Sequence, residues 1–483
     1  MNNLVLLKDL KDLKVLEIKQ FENRDRDRPD FDNKYMKMIY FFINEGIVST
    51  LRKYFAHRQP QQRFLTVLTV EIKNKKYLNI STQFQENSSY FLLDNTFYPF
   101  TEIDPEQFSN QLEYYLANFN QYAGMNNYAL LRMDTNQSVS CEIMQHTTSE
   151  QHEEGLFIYG LGGYARMFIM HHFKRFNKIA CVDYKAQVTS SFRKSYGFRH
   201  GFVLPDHSFP LLRNVRKPVA IIATYHSDHA SLAYEIYRQN PSTCIFIEKP
   251  PVVSLEDLEK LIKLYNQGAN IEIGFNRRFI DYSQYVRKNV ENKIVMITCS
   301  IKEVIISSNH WYLWKNQGTR ITGNVVHWFD LAGYWIQSVP VEINVMASPG
   351  DPESSAISVL YKNGSVLNIT ASDKGNSLRG VQEKIEIRYN NETIFIDDFV
   401  LLKHIKSNGL IIRKRKIRRI KGHDAMYKNF RQIIEKKKVS CYPVHDLINT
   451  SVVTYYASRM LQEGTRNKSV ENEIHAFYNM IRE

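Results

Sequence analysis

A glycine-rich turn between an apolar strand and a helix is the first feature that could carry chemistry. The segment GLGGYA at 160–165 follows the apolar stretch LFIY and precedes ARMFIMHHF, which is predicted to be a helix. Gly160 permits a tight turn, Gly162 lets a pyrophosphate approach the backbone, and Ala165 allows close packing of the helix. The N-terminus of a helix also attracts phosphate charge. The turn therefore predicts a dinucleotide site with contacts from Gly160, Gly162, Gly163, Tyr164 and Ala165.

Asp183 ends the next apolar strand and lies 21 residues beyond Gly162. An acidic side chain at this place accepts hydrogen bonds from the adenosine ribose and repels a 2′-phosphate. This favours NAD over NADP, although Lys185 nearby keeps NADP open. The alternative interpretation of Asp183 is an aspartate in a strand-end turn.

Lys249 lies at the end of another apolar strand, in the segment TCIFIEKP. The carboxyl ends of buried parallel strands line the crevice where such sheets bind ligands. Pro250 and Pro251 end the strand and fix the turn that directs the lysine. A solvated lysine at a strand end is the alternative.

His327 and Asp330 are three residues apart in the segment NVVHWFDLAGYW. On a helix this spacing places both side chains on one face, so that both can point into the same space. The alternative for His327 is a core histidine whose hydrogen bonds are satisfied.

The elements that must position these residues divide the chain into three parts. Residues 1–150 are predicted to form a small α+β N-terminal domain of unknown role, with a helix before the charged run at 24–33. Further helices are predicted at 36–55 and 105–119, and strands at 63–72, 75–82 and 88–97. No motif in this part carries chemistry.

Residues 151–273 alternate strands that are apolar throughout with helices, which is the pattern of a doubly wound α/β parallel sheet. One of these helices is predicted to begin at Ser254 and to end near Gly268. Residues 274–483 are predicted to hold a large, mostly antiparallel open sheet within an α+β domain. Its tight hairpins are expected at Asn363-Gly364, Asn390-Asn391 and Asn408-Gly409, since these residues tolerate left-handed conformations.

The stretch from Pro218 to Arg278 resembles the glucose-fructose oxidoreductase and inositol dehydrogenase family, often called Gfo/Idh/MocA. In that family a strand ending in Ala-Thr-Pro precedes a histidine, the next strand ends in Glu-Lys-Pro, and a later strand ends near Asn-Arg-Arg-Phe. The matching residues here are Ala223-Thr224, His229, Glu248-Lys249-Pro250 and Asn276-Arg277-Arg278-Phe279. Tyr225 replaces the usual proline. The resemblance covers about 155–465.

The resemblance implies a Rossmann domain followed by an open sheet, with the active site between them. It adds Thr224, His229, Glu248 and Lys249 to the cofactor contacts. His327 and Asp330 match the family's His-x-x-Asp pattern, but Gly323 stands where the family commonly has Asp or Asn, and Asn324 is the nearest amide. The substrate contacts expected from these matches and from a sugar-stacking tryptophan are Asn276, Arg278, Trp311 and Asn324.

The resemblance implies an NAD(P)-dependent oxidoreductase acting on a hydroxyl or ketone of a sugar, cyclitol or sugar nucleotide. The expected catalytic residues are His327, Asp330 and Lys249. In one assignment His327 is the base, Asp330 orients it and Lys249 polarises the substrate oxygen; in the other Lys249 itself is the base. Two alternatives are an NAD-dependent redox-assisted glycoside hydrolase or lyase, and a dinucleotide-binding regulatory or scaffold protein without turnover.

Composition limits the partners. Hydrophobic residues make up 43% of 483 residues, and Lys plus Arg exceed Asp plus Glu by 13, which suits anionic ligands. The five cysteines are spread singly, so neither disulfides nor a metal site is expected. The basic run RKRKIRRIK at 413–421 is predicted to be a solvated strand face, with a polyanion site as the alternative. We expect a cytoplasmic homo-oligomer, a dimer or tetramer, with no membrane span and no nucleic-acid partner.

Overall fold

The computed structural model describes two parts of the chain. In the first it gives the backbone of five strands and some helical residues between 39 and 51. In the second it describes residues 152–481, except 184–185, 203–204, 307–314, 349–350, 376–379 and 436–441. Trp311 and Lys185, and the helix predicted at 105–119, lie outside the described residues.

The five N-terminal strands form one antiparallel sheet in the order β4-β3-β2-β1-β5. The strands predicted at 63–72 and 75–82 are confirmed. The helix predicted before residue 24 is wrong from Lys14 onwards, because that segment is an inner strand of the sheet. It pairs with β2 on one side and with β5 on the other, and such distant pairing leaves no trace in the local sequence. The strands are β1 Lys14–Asn23, β2 Phe64–Ile72, β3 Lys75–Ser81, β4 Phe97–Pro99 and β5 Tyr128–Ser138.

The second sheet is the parallel sheet that the apolar strands predict. Its order is β11-β10-β9-β6-β7-β8, so the chain starts in the middle, winds outward to one side and then to the other. This order is that of a dinucleotide-binding Rossmann fold, whose ligands bind where the winding direction changes, here between β6 and β9. The strands are β6 His152–Tyr159, β7 Lys178–Val182, β8 His200–Phe202, β9 Val215–Ile222, β10 Cys244–Ile247 and β11 Asn270–Ile273.

Helices cover both faces of the parallel sheet. The segment after the glycine-rich turn is helical but irregular, with a π-helical turn at Ala165–Ile169 and a 3-10 turn at Met170–His172. The helix predicted from Ser254 is confirmed, since the Ser254 side chain accepts a hydrogen bond from the Asp257 amide. The α-helices are α1 Ala186–Tyr196, α2 Phe209–Arg213, α3 His229–Gln239 and α4 Leu255–Asn266. Short 3-10 turns lie at Pro205–Ser208, His226–Asp228 and Asn276–Phe279.

The third sheet is large, open and mostly antiparallel, with nine strands in the order β19-β18-β17-β16-β12-β15-β14-β13-β20. Its one parallel pair joins β12 to β15. The three predicted hairpin turns are confirmed, with Gly364, Asn390 and Gly409 at positive φ. The strands are β12 Met296–Lys302, β13 Pro340–Ser348, β14 Asp351–Tyr361, β15 Val366–Ser372, β16 Gln382–Tyr389, β17 Glu392–Asp397, β18 Leu401–Ile405, β19 Ile411–Arg415 and β20 Asn467–Ser469.

One face of the open sheet packs on helices and the other is exposed. Along β12, Ile297, Cys299 and Ile301 are buried, while the alternate residues are exposed. The buried side chains join those of the parallel sheet in one continuous apolar cluster. The helices of this part are α5 Asp281–Val290, α6 Val326–Ile336, α7 His423–Ile434, α8 Val444–Glu463 and α9 Glu471–Tyr478, with a π-helical turn at Ile321–Val325 and a 3-10 turn at Lys315–Gln317. Among the residues described, no helix has the length and apolar character needed to cross a membrane.

Candidate functional site

The glycine-rich turn joins β6 to the irregular helix at the place where the winding direction changes. Gly160 has φ +86°, and a Cβ on it would lie 2.1 Å from the carbonyl oxygen of Ala223, at the end of β9. The Gly160 amide donates a hydrogen bond to the carbonyl oxygen of Val182 at 2.9 Å. Only glycine fits this position, because any side chain would push the ends of two neighbouring strands apart.

The next two glycines leave open space above the turn. A Cβ on Gly162 would meet no atom within 4 Å, and one on Gly163 would meet only the Met167 side chain, at 3.8 Å. Ala165 is buried and packs the following helix closely. The backbone here is therefore accessible to a pyrophosphate, as the sequence predicts, and the residues present fit a dinucleotide.

Asp183 comes directly after β7, beside the same turn. Its carboxylate accepts a hydrogen bond of 2.8 Å from the Leu161 amide, and its carbonyl oxygen accepts one of 2.9 Å from the Thr189 hydroxyl. The Asp183 side chain is only partly buried. It therefore braces the turn, and its position is compatible with the predicted contact to a ribose.

Lys249 connects the parallel sheet to the helices of the following part. It comes two residues after β10, and its Nζ donates a hydrogen bond of 2.7 Å to the carbonyl oxygen of Gly323. Gly323 lies four residues before His327, which is about one turn, or about 5 Å, along the helical segment. The structure thus brings the strand-end lysine and the predicted histidine together.

His327 is buried at the start of α6, and in the described structure its Nδ1 atom has no hydrogen-bond partner. Burial and the positive charges of Arg277 and Lys249 hold the pKa of His327 well below its usual range. The imidazole is neutral near pH 7.

Asp330 does not orient His327 through a hydrogen bond, contrary to the role expected for it. Its carboxylate is fully buried and accepts bidentate hydrogen bonds from Arg278, at 2.6 to 3.0 Å, and one from the Tyr442 hydroxyl. Arg278 also donates to Asp446 at 2.7 Å. His327 and Asp330 are three positions apart along the helix, but the Asp330 side chain belongs to a separate buried ion-pair cluster.

The predicted substrate contacts are mostly engaged inside the protein. Arg278 belongs to the ion-pair cluster just described. Asn276 is buried and donates to the carbonyl oxygen of Lys421 at 2.6 Å. Asn324 donates to the carboxylate of Glu303 at 2.5 Å. Of these three, only Asn324 is next to the Lys249–Gly323 contact, so it alone stays a candidate for contacting a substrate there.

Glu248 is buried on the side of the site nearest the glycine-rich turn. It accepts a hydrogen bond from the Tyr427 hydroxyl, which also lies 3.5 Å from the hydroxyl of Tyr164. Burial raises the pKa of Glu248 to about 7, although the hydrogen bond from Tyr427 and the charge of Lys249 act against it. Tyr427 lies on α7, far along the chain, and the sequence offered no signal for it.

His229 fixes the backbone around the site. Its two ring nitrogens lie 2.7 Å from the carbonyl oxygen of Pro250 and 3.2 Å from that of Thr224. Burial lowers the pKa of His229 to about 4, so the ring is neutral near pH 7 and carries one proton. The ring can therefore donate to only one of these two carbonyl oxygens and lies against the other, so His229 has a positioning role between the loops after β9 and β10.

The basic run lies along β19, at the edge of the open sheet, and in the segment that follows. Arg413 and Arg415 are exposed. Arg419 pairs with Asp398 at 3.4 Å, and Lys421 pairs with Glu383 at 3.3 Å. The strand is exposed as predicted, but the end of the run is tied into the fold by ion pairs that the sequence did not reveal.

Comparison with known proteins agrees with this geometry. Residues 155–273 match the Gfo/Idh/MocA oxidoreductase family, described as having an NAD-binding Rossmann fold. An inositol 2-dehydrogenase from Rhizobium meliloti is 24% identical over 181 residues, which are 35% of this chain and 53% of that protein. The chain thus spans about half the length of the curated relatives it matches.

Solved structures share the fold over a longer stretch. An aldose-aldose oxidoreductase from Caulobacter crescentus, complexed with glycerol, has a TM-score of 0.56 at 17% identity and covers 66% of this chain and 100% of its own. An oxidoreductase from Agrobacterium radiobacter, in complex with NAD+, L-tartaric acid and magnesium, has a TM-score of 0.56 at 16% identity, covering 68% and 99%. The parallel sheet followed by the open sheet is therefore a known two-part fold.

Proposed function

Residues 155–273 belong to the NAD-binding Rossmann fold of the Gfo/Idh/MocA oxidoreductase family, and from this premise we propose that the chain is an NAD-dependent oxidoreductase. Its substrate is a hydroxyl or ketone of a sugar, cyclitol or sugar nucleotide. The observation that carries the proposal is the hydrogen bond from Lys249 to Gly323. It joins the ligand-binding edge of the parallel sheet to the helical segment of His327.

The glycine-rich turn would hold the pyrophosphate of the dinucleotide. Gly162 and Gly163 leave the backbone accessible, and Asp183 would accept hydrogen bonds from the adenosine ribose. A negative carboxylate at this place disfavours a 2′-phosphate, which supports NAD rather than NADP. Glu248 and Tyr164 border the route from the turn to Lys249.

When bound, NAD accepts a hydride from the substrate carbon or returns one to it. The substrate oxygen must lose a proton as the alcohol is oxidised, so it needs an acceptor within hydrogen-bond reach. We assign this role to His327, whose Nδ1 atom has no hydrogen-bond partner in the described structure. Its lowered pKa makes the imidazole a weak base, so Lys249 is the alternative acceptor. The Lys249 ammonium group would donate a hydrogen bond to the same oxygen and so stabilise the negative charge that develops on it.

The polar groups around Lys249 support a polyhydroxylated substrate. The Lys249 ammonium group and the carbonyl oxygen of Gly323 offer a donor and an acceptor. Asn324, the next residue in the chain, carries a side-chain amide that donates to Glu303. The names of the relatives, an inositol 2-dehydrogenase and an aldose-aldose oxidoreductase, point to the same substrate class. A setting in polysaccharide or sugar-nucleotide metabolism follows from this class.

The exposed face of the open sheet supports assembly with further copies of the chain. Large apolar side chains lie exposed there, including Met346 at 64% and Phe395 at 37% relative exposure. Contact between two such faces would remove this apolar surface from water. We propose a cytoplasmic homo-oligomer, a dimer or tetramer, which light scattering after size-exclusion chromatography will count directly.

The test of the proposed function is turnover of site variants with NAD and a panel of sugars, cyclitols and sugar nucleotides, followed by formation of NADH. Loss of the proton acceptor costs on the order of 10² to 10⁴ in rate. We expect such a loss in Lys249→Ala and His327→Ala, with NAD affinity retained. The matched control is Lys260→Ala, at a lysine on α4 that bonds Ser231 and Asp257. Rates above about a tenth of wild type in both site variants would overturn the assignment.

A further inference from the structure

Two adjacent histidines and an aspartate meet outside the site described above. His171 and His172 end the irregular helix after the glycine-rich turn, and Asp424 lies in the first turn of α7. The Nε2 atoms of His171 and His172 lie 3.1 and 3.0 Å from the same carboxylate oxygen of Asp424. The three ligand atoms lie within 4.8 Å of one another. More than 250 residues separate the histidines from Asp424 in the chain.

The two histidine–aspartate distances in this cluster suit a shared metal ion. Two ligand atoms bound at about 2.0 to 2.1 Å lie about 2.9 Å apart at a right angle and about 3.3 Å apart at the tetrahedral angle. The observed separations from each histidine nitrogen to the Asp424 oxygen fall between these values. Two imidazoles with one carboxylate form a ligand set typical of zinc and of other divalent transition metals.

The cluster is accessible from solvent. It opens into a pocket that is also lined by Lys428, Arg431, Gln432 and Glu435. The side chain of Asp424 is 73% exposed, and those of His171 and His172 are 16% and 13% exposed. An ion can thus enter with water to complete its coordination. The charges of Lys428 and Arg431 are balanced by those of Asp424 and Glu435, so the pocket does not repel a cation through its net charge.

We propose that His171, His172 and Asp424 bind a divalent transition-metal ion of the zinc class. The ion would join the helix that follows the glycine-rich turn to α7. Because α7 also carries Tyr427, which donates to Glu248, the ion would fix the two walls of the proposed cofactor site relative to each other. The site stands on the geometry of its three ligands and does not depend on the proposed function.

The experiment is a titration of the full-length chain, free of any histidine tag and treated with a chelator, with Co²⁺ as a spectroscopic probe. Visible absorption of bound Co²⁺ reports a site with protein ligands, and calorimetry with Zn²⁺ gives the stoichiometry. We expect one ion per chain. Since even the partners of metal ligands affect affinity by 10- to 100-fold, His172→Gln and Asp424→Asn should each weaken binding by at least about tenfold.

The matched control is His475→Gln. His475 also lies near one carboxylate, that of Glu471 at 3.6 Å, on the exposed helix α9, and it belongs to no three-residue cluster in the described part of the chain. This variant should bind the probe as wild type does. Thermal unfolding without metal checks that all three variants fold. Lack of saturable Co²⁺ and Zn²⁺ binding by the wild type, or wild-type affinity in both cluster variants, would overturn the proposal.

Discussion

Replacing Asp330 by asparagine removes one charge from the buried ion-pair cluster and keeps the shape of the side chain. Arg278 would retain Asp446 as its only carboxylate partner within that cluster. Breaking a buried ion pair on one side costs about 3 to 5 kcal/mol, and we expect the lower end because Asp446 remains. For a domain of about 150 to 250 residues, such as the part 274–483 that holds Asp330, a loss of about 3 kcal/mol lowers the unfolding midpoint by about 6 to 12 °C.

The assay is differential scanning calorimetry of wild type, Asp330→Asn and a control, Glu471→Gln. Glu471 forms an ion pair of 2.9 Å with Lys362 on the surface, where such pairs contribute little. Addition of Arg278→Met to Asp330→Asn should recover part of the lost stability, because it removes a buried guanidinium that is left with only the partly exposed Asp446 as its carboxylate partner. A midpoint for Asp330→Asn that matches that of Glu471→Gln would refute the structural role that we assign to Asp330.

Three further predictions follow from the same structure. Asp183→Ala should weaken NAD binding and reduce the rejection of NADP, as measured by calorimetry with both dinucleotides; unchanged discrimination would contradict the ribose contact. Burial raises the pKa of Glu248 from 4.5 to about 7, so the folded state holds this proton more tightly than the unfolded state does. The free energy of unfolding therefore falls as the pH rises between these two values, by about 3 kcal/mol in all. Wild type should therefore lose thermal stability relative to Glu248→Gln from pH 5 to pH 8, and parallel curves would exclude this shift. The double variant Arg413→Gln, Arg415→Gln should leave NAD affinity unchanged. If β19 is only a solvated strand, retention on a heparin column should also stay unchanged. A loss of retention that depends steeply on salt would favour the polyanion site.

The parts of the fold that depend on local residues could be predicted from the sequence. The turn at Gly160 needs positive φ, the helix after Ser254 needs an N-cap, and the hairpins at Gly364 and Gly409 need left-handed residues. These requirements act within a few positions of the chain. Local sequence therefore predicted these elements, both in the parallel sheet and in the open sheet.

The side-chain partners within the site come from residues far away in the chain, and the sequence could not reveal these contacts. Asp330 is held by Tyr442, 112 positions away, and Glu248 by Tyr427, 179 positions away. The inner N-terminal strand β1 likewise depends on pairing with β5, more than a hundred residues later. Spacing on one helix face predicted that His327 and Asp330 share one space, but it could not show that the buried Arg278 engages Asp330.

The most direct test of the central claim is a calorimetric titration of NAD into wild type and Gly162→Asp. A Cβ on Gly162 meets no atom within 4 Å, so the substitution should leave the unfolding midpoint unchanged. The added carboxylate would occupy the space where a pyrophosphate must approach and would repel its charge. We predict saturable NAD binding by wild type and none by Gly162→Asp. Equal affinity of the two proteins would contradict the assignment of the glycine-rich turn as the dinucleotide site.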